Sequence, residues 1–315
     1  MEFTKNKQFK GIIPPLVTPM ETEEKLNTEK LSAIIEHIIA GGVNGIFVLG
    51  TTGEAASLGI SVKKEIIRRS CRFINQRVLV LAGITTTCLP ETLELAREAE
   101  QNGADAVVVC SPYYFPITQN ELYEYIKKLH SQISLPIFLY NMPSCTKTVF
   151  EVETLRKLAE LPGITGVKDS SADMDYFRRV TELKQIRPDW SVMIGPELLL
   201  DEAVSLGADG GITGGANLFP GLFARLYQSL VLKDEATSEY CKSLIGQMAE
   251  NIYEPSYISG LKYALYEKDL CPDFVASPLQ PADASHRQRI KKFISENNEE
   301  LSSISCDYSA LHQNK

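Results

Sequence analysis

The sequence contains few residues that could form a metal site or a disulfide framework. Its four histidines include no pair at metal-ligand spacing, and its seven cysteines are widely scattered, without a C-x-x-C pair. Metal sites and disulfide-rich domains normally show such regular spacings. We therefore expect free thiols, no metal and no catalysis by a Ser-His-Asp triad.

Basic clusters and long apolar runs are also missing. The chain has 32 Lys and Arg against 40 Asp and Glu, a net charge of -8, and its basic residues are dispersed rather than gathered into a stripe. Nucleic-acid-binding proteins usually carry such a stripe. Charged residues interrupt every apolar run before the roughly 20 residues of a membrane span, and the segment MEFTKNKQFK lacks the apolar region of a signal peptide. The sequence predicts a cytoplasmic protein that binds neither nucleic acid nor membrane.

The sequence does contain eight short apolar runs, which alternate with segments of helical period. The runs cover residues 11–18, 45–50, 78–84, 106–111, 136–141, 163–169, 191–195 and 210–213. Nearly continuous hydrophobicity is typical of parallel strands that are covered on both faces. Eight such strands separated by helices predict an α/β fold, specifically a closed (β/α)8 or TIM barrel.

The strand pattern ends near residue 220, and three helical segments follow over residues 222–251, 255–270 and 281–301. We expect residues 1–221 to form the barrel, 222–301 a helical C-terminal extension, and 302–315 a disordered tail. The extension is short for a hydrophobic core of its own. Packing on the barrel or on a partner subunit is therefore favoured over an independent binding module.

Lys168 is the first candidate catalytic residue, because TIM-barrel active sites lie where the strands end at their carboxyl side. It closes the run ITGVK, and burial on a strand would lower the pKa of its ammonium group. A neutral amine attacks a carbonyl carbon and forms a Schiff base, which permits C–C cleavage, condensation or dehydration next to a keto acid. The alternative is a lysine that pairs with Asp169 or with a helix carboxylate.

Tyr140 closes the preceding run in the same register, since residues 136–140 and 164–168 both reach their polar residue at the fifth position. Adjacent strands would then place a phenol beside an amine. A phenol next to a cationic iminium loses its proton more readily and can shuttle protons. A tyrosine that caps the barrel with its hydroxyl in water is the alternative.

A glycine- and threonine-rich turn, Gly50-Thr51-Thr52-Gly53-Glu54, follows the second run. Its glycines would let backbone N–H groups converge on an anion, and the two hydroxyls would add donors, so the turn suits a carboxylate. A second glycine-rich turn, residues 210–215, lies where many barrels bind phosphate.

Taken together, these motifs resemble the dihydrodipicolinate synthase and N-acetylneuraminate lyase family of pyruvate-type class I aldolases. The resemblance runs through GIIPPLVTP, GTTGEAASL, SPYYF, YNMPS, GVKDSS, GLKYAL and PLQP, and Tyr140 lies 28 residues before Lys168, as in the family. It implies a Schiff base on Lys168, formed with the pyruvate moiety of a small 2-keto acid without any cofactor. It also implies that Tyr140 donates and accepts protons.

The resemblance implies roles for further residues. Thr51 and Thr52 would bind the keto-acid carboxylate together with Gly50 and Gly53, and Thr51 would also relay protons. Tyr114 would reach into a neighbouring subunit's site, and Ile212 would line the pocket through its backbone. Family members are commonly dimers or tetramers, so we expect a homodimer or homotetramer.

One position departs from the synthases of the family, which carry an arginine for the aldehyde substrate's carboxylate where this chain has Cys145. A thiol cannot replace a bidentate guanidinium, although Lys147 lies two positions further along. Sialic acid lyases usually have Ser-Thr in place of Thr51-Thr52. The leading hypothesis is therefore reversible cleavage of a 2-keto-3-deoxy sugar acid. Synthase activity, N-acetylneuraminate lyase activity and, in another class, a non-catalytic keto-acid-binding barrel are the alternatives.

Overall fold

The computed structural model describes residues 9–305. Within them the strands are β1 (Gly11–Ile12), β2 (Met20–Thr22), β3 (Lys25–Leu26), β4 (Gly45–Val48), β5 (Leu79–Gly83), β6 (Ala106–Cys110), β7 (Ile137–Asn141), β8 (Ile164–Asp169), β9 (Ser191–Ile194) and β10 (Gly210–Gly211). The α-helices are α1 (Thr28–Ala40), α2 (Ile60–Ile74), α3 (Leu89–Gln101), α4 (Gln119–His130), α5 (Pro143–Thr146), α6 (Val152–Ala159), α7 (Met174–Thr181), α8 (Leu200–Ser205), α9 (Pro220–Leu232), α10 (Glu235–Ile252), α11 (Tyr257–Glu267) and α12 (Ala284–Ser303). Short 3₁₀ helices cover Ala55–Ser57, Glu182–Gln185, Glu197–Leu199 and Gly214–Asn217.

Eight parallel strands form the central sheet, in the order β1-β10-β9-β8-β7-β6-β5-β4. A bridge between Pro15 and Phe47 closes the sheet on itself, and the Leu16 N–H donates to the Phe47 carbonyl at 2.8 Å. Proline cannot donate to a strand ladder, which explains why β1 is short where the sequence reads Pro14-Pro15. The predicted (β/α)8 barrel is confirmed, and every predicted apolar run contains a barrel strand.

The barrel strands are buried on both faces, as their continuous hydrophobicity predicted. Alternate side chains, including Phe47, Val108, Phe138 and Met193, form one cluster in the barrel interior. The side chains between them belong to a larger cluster that also contains the inward faces of the surrounding helices. Tyr140 belongs to the interior cluster. The strand alternation therefore directs its side chain, and that of its register partner Lys168, into the barrel.

The C-terminal extension differs from the prediction in its helices. The predicted segment 222–251 is two helices, because Lys233 adopts a left-handed conformation (φ 58°) and the Asp234 side chain caps α10 by accepting from the Thr237 N–H. Helix α9 packs on β1, α1 and α8, the place of the eighth barrel helix. We therefore propose that α9 belongs to the barrel and that the extension begins after Leu232, rather than at residue 222 as predicted.

Two further expectations concern the end of the chain and its thiols. Helix α12 continues to Ser303, into the predicted tail, whereas residues 306–315 of that tail lie outside the described residues. The six cysteines of the described part are free.

None of the described helices is long and apolar enough to span a membrane. Residues 9–305 hold no cluster of three His, Cys, Asp or Glu side chains suited to a metal ion.

Candidate active site

Lys168 and Tyr140 lie side by side inside the barrel. Strands β7 and β8 are paired so that the two residues are direct register partners, as the sequence predicted. Both side chains are buried, and the Lys168 Nζ lies 4.3 Å from the centroid of the Tyr140 ring and 5.6 Å from that of Phe47. The aromatic faces thus surround the amine with apolar surface.

Burial controls the charge of Lys168. Removal from water lowers the pKa of its ammonium group to about 7, against smaller opposing effects of Cys110 and Asp169. The Asp169 carboxylate is engaged elsewhere, because it accepts from Asn141 Nδ2 at 2.7 Å and from Ser171 Oγ at 2.8 Å. The structure therefore contradicts a lysine that merely pairs with Asp169. A substantial fraction of the amine is neutral, hence nucleophilic, near pH 7.

Tyr140 is held in its protonated form. Burial, followed by the proximity of Cys110, raises the pKa of its phenol well above the ordinary value, and hydrogen bonds from Thr51 and Ser170 oppose this only in part. The Tyr140 hydroxyl lies 3.3 Å from Thr51 Oγ1. A protonated phenol can act as a general acid, and the hydroxyl of Thr51 provides a path for its proton toward the cavity.

The 50–54 turn places its threonines at the barrel mouth. The Gly53 N–H donates to the Gly50 carbonyl at 3.1 Å, so it does not converge on an anion as predicted. Both glycines are required by packing, since a Cβ at Gly50 would lie 2.8 Å from the Phe47 ring and one at Gly53 2.8 Å from the Leu16 carbonyl. The glycines shape the turn, and Thr51 and Thr52 remain as its candidate donors.

A cavity of about 340 Å³ contains these groups. Polar side chains lie on several sides of it, and Ile212 lines it as well; the polar ones are Thr51, Thr52, Tyr140, Lys168, Ser170, Glu197, Tyr253 and Tyr257. A second cavity, of about 290 Å³, shares Thr51, Tyr140 and Met142 with the first and is otherwise largely apolar. A substrate bound to Lys168 through its keto group would therefore have room to extend into either cavity.

Sequence reasoning missed Tyr253 and Tyr257 as site residues, and it gave no role to Glu197, a polar residue just after a strand that also lines the cavity. Burial raises the pKa of the Glu197 carboxyl to about 7, and that carboxyl accepts from the Gly215 N–H at 2.9 Å and from the Tyr253 hydroxyl. The Tyr257 hydroxyl hydrogen-bonds the Thr52 side chain. Both tyrosines come from the C-terminal extension, whose position on the barrel no strand pattern specifies.

The second glycine-rich turn, residues 210–215, is filled from within the chain. A Cβ on Gly214 would lie 1.5 Å from the Tyr257 hydroxyl, and one on Gly215 would lie 2.5 Å from the Tyr253 hydroxyl. These tyrosines occupy the space beside the turn. They leave no open space against Gly214 and Gly215 for a phosphate, although Ile212 of the same turn does line the Lys168 cavity.

The remaining predicted residues lie outside the Lys168 cavity. Cys145, on α5, is exposed and lines the second cavity. Tyr114 is 78% exposed, with its ring against Phe115 at 5.1 Å, and lies in a surface groove rather than in either cavity. Lys147 lines the same groove, and its Nζ donates to the Ser144 carbonyl at 2.6 Å. One chain alone does not bring Tyr114 to Lys168.

Comparison with known proteins agrees with this geometry. The model of the dihydrodipicolinate synthetase family matches residues 8–297. A solved structure of dihydrodipicolinate synthase from Bacteroides thetaiotaomicron is 43% identical, covers 91% of this chain and 98% of its own, and superposes with a TM-score of 0.88. The structure of YagE, a family member from Escherichia coli K12 in complex with pyruvate, is 28% identical over 92% of this chain and 99% of its own, with a TM-score of 0.87. A relative from the same bacterium, named as a probable 2-dehydro-3-deoxy-D-pentonate aldolase, is 30% identical over 82% of this chain and 87% of its own.

Proposed function

Because the chain belongs to the dihydrodipicolinate synthetase family, and is therefore a class I lyase of the Schiff-base type, we propose that it reversibly cleaves a 2-keto-3-deoxy sugar acid to pyruvate and an aldehyde. The observation that carries this proposal is the buried pair of Lys168 and Tyr140, with the amine over the phenol ring. Its catalytic residues are Lys168, Tyr140, Thr51 and, from a neighbouring subunit, Tyr114.

The reaction begins at the Lys168 amine. Its lone pair attacks the C2 carbonyl of the keto acid, and loss of water from the resulting carbinolamine leaves a protonated iminium. Tyr140 gives its phenolic proton to the hydroxyl that leaves the carbinolamine as water, and the phenolate, stabilised by the adjacent iminium cation, then accepts the proton of the C4 hydroxyl. The C3–C4 bond then breaks, its electron pair moves toward the iminium nitrogen, and the aldehyde departs. Protonation of the enamine at C3 and hydrolysis of the iminium release pyruvate and restore the amine.

The threonines of the 50–54 turn would hold the substrate carboxylate. Thr51 Oγ1 is already within 3.3 Å of the Tyr140 hydroxyl, so one residue can contact both the substrate and the proton carrier. Thr52 is buried beside Lys168 in the same cavity. Hydroxyl donors fixed around a carboxylate supply hydrogen bonds to a charged acceptor, which are stronger than neutral ones.

The walls of the cavity favour a hydroxylated substrate over one with a second carboxylate. Ser170, Glu197 and Tyr257 offer hydroxyl and carboxyl groups to substrate hydroxyls. The thiol of Cys145 supplies no cation for a distal carboxylate. The relative named as a pentonate aldolase also supports a sugar-acid substrate.

Dihydrodipicolinate synthase activity is the second candidate, because the 43% identical solved structure carries that name. It requires a way to bind aspartate semialdehyde without the arginine that Cys145 replaces. N-acetylneuraminate lyase activity has no comparable observation in its favour. A non-catalytic keto-acid-binding barrel does not account for a buried Lys168 amine whose pKa is lowered to about 7.

We also propose that the protein works as a homodimer or homotetramer in the cytoplasm. The support is the exposed aromatic pair Tyr114 and Phe115, which are 78% and 73% accessible to solvent. Large exposed aromatic surface is typical of subunit contacts.

Trapping with pyruvate and borohydride tests the proposal. Reduction of the iminium should attach the pyruvate carbons irreversibly to Lys168, as read by peptide mass spectrometry, and Lys168→Ala should remain unmodified. Steady-state assays with 2-keto-3-deoxy sugar acids, and with pyruvate plus aspartate semialdehyde, would then rank the two candidate reactions. Saturable pyruvate binding without any adduct would refute the Schiff-base mechanism.

A further inference from the structure

A buried ion pair joins the C-terminal extension to the turn that carries Thr51 and Thr52. Lys262, on α11, donates through its Nζ to Glu54 Oε1, and both side chains are 0% exposed. The other oxygen of the carboxylate accepts from the Ala276 N–H at 2.6 Å. Two separate segments of the extension thus form hydrogen bonds with one glutamate of the barrel.

Glu54 directly follows the candidate carboxylate-binding residues. It is two positions after Thr52 and adopts a left-handed conformation with φ 57°, which few non-glycine residues tolerate. Its N–H donates to the Thr51 carbonyl at 3.0 Å. A displacement of Glu54 would therefore be passed directly to Thr51.

Helix α11 also reaches the turn at a second point. The Tyr257 hydroxyl, from the first residue of that helix, hydrogen-bonds the Thr52 side chain. The catalytic Lys168 needs no such support, because it lies on a strand paired on both sides. The threonines lie on a loop, so their position depends on what holds the loop.

We propose that Lys262 is a positioning residue, which fixes the substrate-carboxylate-binding turn through Glu54 and thereby sets the affinity for the keto acid. The inference rests on the proposed function, because it assumes that Thr51 and Thr52 bind that carboxylate. The buried pair itself is weak evidence for stability, since well-packed neutral side chains often replace such pairs without loss. Neutral side chains would not, however, fix the Glu54 carboxylate in one position by a charged hydrogen bond.

The test compares the full-length wild type with a double variant, Glu54→Gln/Lys262→Met, which removes both charges and leaves no unpaired ion in the core. Circular dichroism and thermal melting should show a folded protein. The pyruvate concentration that gives half-maximal borohydride trapping should rise about 10- to 100-fold, the size of effect expected when a binding group moves by about 1 Å. The trapping rate at saturating pyruvate should stay unchanged, because Lys168 keeps its surroundings and borohydride reduces the iminium directly, without the proton path through Thr51.

A matched control is the pair Lys184–Asp209, joined at 2.9 Å at the opposite end of the barrel, where Asp209 precedes β10. The double variant Lys184→Met/Asp209→Asn should leave half-saturation unchanged. A folded Glu54→Gln/Lys262→Met protein with wild-type half-saturation would overturn the positioning role. So would equal losses in half-saturation and in saturated rate, which indicate general damage. Failure of the wild type itself to trap pyruvate would instead refute the proposed function.

Discussion

At the scale of single residues, burial lowers the pKa of Lys168, which the proposed mechanism needs for a nucleophile near neutral pH. Because the pKa of its ammonium group is lowered to about 7, the neutral fraction rises as pH increases through 7. We expect the rate of adduct formation with pyruvate and cyanoborohydride to climb between pH 6 and 8 and then to level off. A rate still climbing toward pH 10, as for an exposed lysine, would contradict the buried amine.

Glu197 should make the stability of the fold depend on pH. Burial raises the pKa of its carboxyl from 4.5 to about 7, so the folded state retains a proton that the unfolded state has lost between these values. The free energy of unfolding therefore decreases as pH rises from 4.5 through 7, by about 3 kcal/mol at about 1.4 kcal/mol per pKa unit.

Urea unfolding of wild type and Glu197→Gln at pH 5 and pH 8 measures this contribution. The wild type should lose about 2.5 kcal/mol relative to the variant between the two pH values, since glutamine does not ionise. Glu24→Gln, at an exposed position, is the control and should follow the wild type. A constant difference between wild type and Glu197→Gln would show that the carboxyl titrates normally.

The pairing of Lys168 with Tyr140 could be predicted from sequence, whereas the residues around these two could not. Lys168 and Tyr140 close adjacent apolar runs at the same position, and strand periodicity fixes which residues of neighbouring parallel strands meet. Tyr257 and Lys262 lie more than 200 positions from the turn that they contact. Their helix carries no period that specifies where it packs, so only the folded chain reveals the contact.

At the scale of elements, the proposed function gives α5 the contacts with the distal part of the substrate. Cys145 on this helix lines the cavity beyond Tyr140. We expect Cys145→Arg to increase turnover of pyruvate with aspartate semialdehyde by about 10- to 100-fold. The arginine would form charge-assisted hydrogen bonds with the carboxylate of the semialdehyde, which contribute about 1.5 to 3 kcal/mol. The measurement is kcat/KM for the semialdehyde in the wild type and the variant.

Lys147 provides the control for that substitution. Its ammonium group contacts the Ser144 carbonyl and lies in the groove of Tyr114, outside the cavity that Cys145 lines. Lys147→Ala should therefore leave turnover of the semialdehyde unchanged. A large loss in this variant would show that Lys147 supplies the cation that α5 otherwise lacks.

Among the elements, the barrel strands could be predicted from sequence more readily than the connecting segments and the C-terminal helices. Apolar periodicity continues across Lys233 and Asp234, so it gave no sign that α9 and α10 are separate helices. The hairpin of β2 and β3 was not predicted either. Its segment, METEEKL, is rich in glutamate and contains only one β-branched residue, so it lacks the usual composition of strands. The helix break instead follows from the left-handed conformation of Lys233 and the Asp234 cap.

At the scale of the whole molecule, the proposed sharing of sites between subunits can be tested with two defective chains. Lys168→Ala retains Tyr114, and Tyr114→Ala retains Lys168. If Tyr114 acts across the interface, mixed dimers contain one complete site. Unfolding the two inactive variants together and refolding them should therefore restore about a quarter of wild-type activity. No recovery, or a fully active monomer by light scattering, would contradict a shared site.

The pairing of the barrel strands is uneven around the ring. Strands β7 and β8 share five register pairs, whereas β1 joins β10 through two and meets β4 at a single bridge. The strand order sets the seam between β1 and β4 diametrically across the barrel from β7 and β8. Amide protons at the seam should therefore exchange with deuterated water long before those of Tyr140 and Lys168. Transient opening of the seam would displace the threonine turn, because that turn follows β4, and would thus weaken substrate binding. Lys168 and Tyr140 would meanwhile stay paired in register, ready for the next substrate.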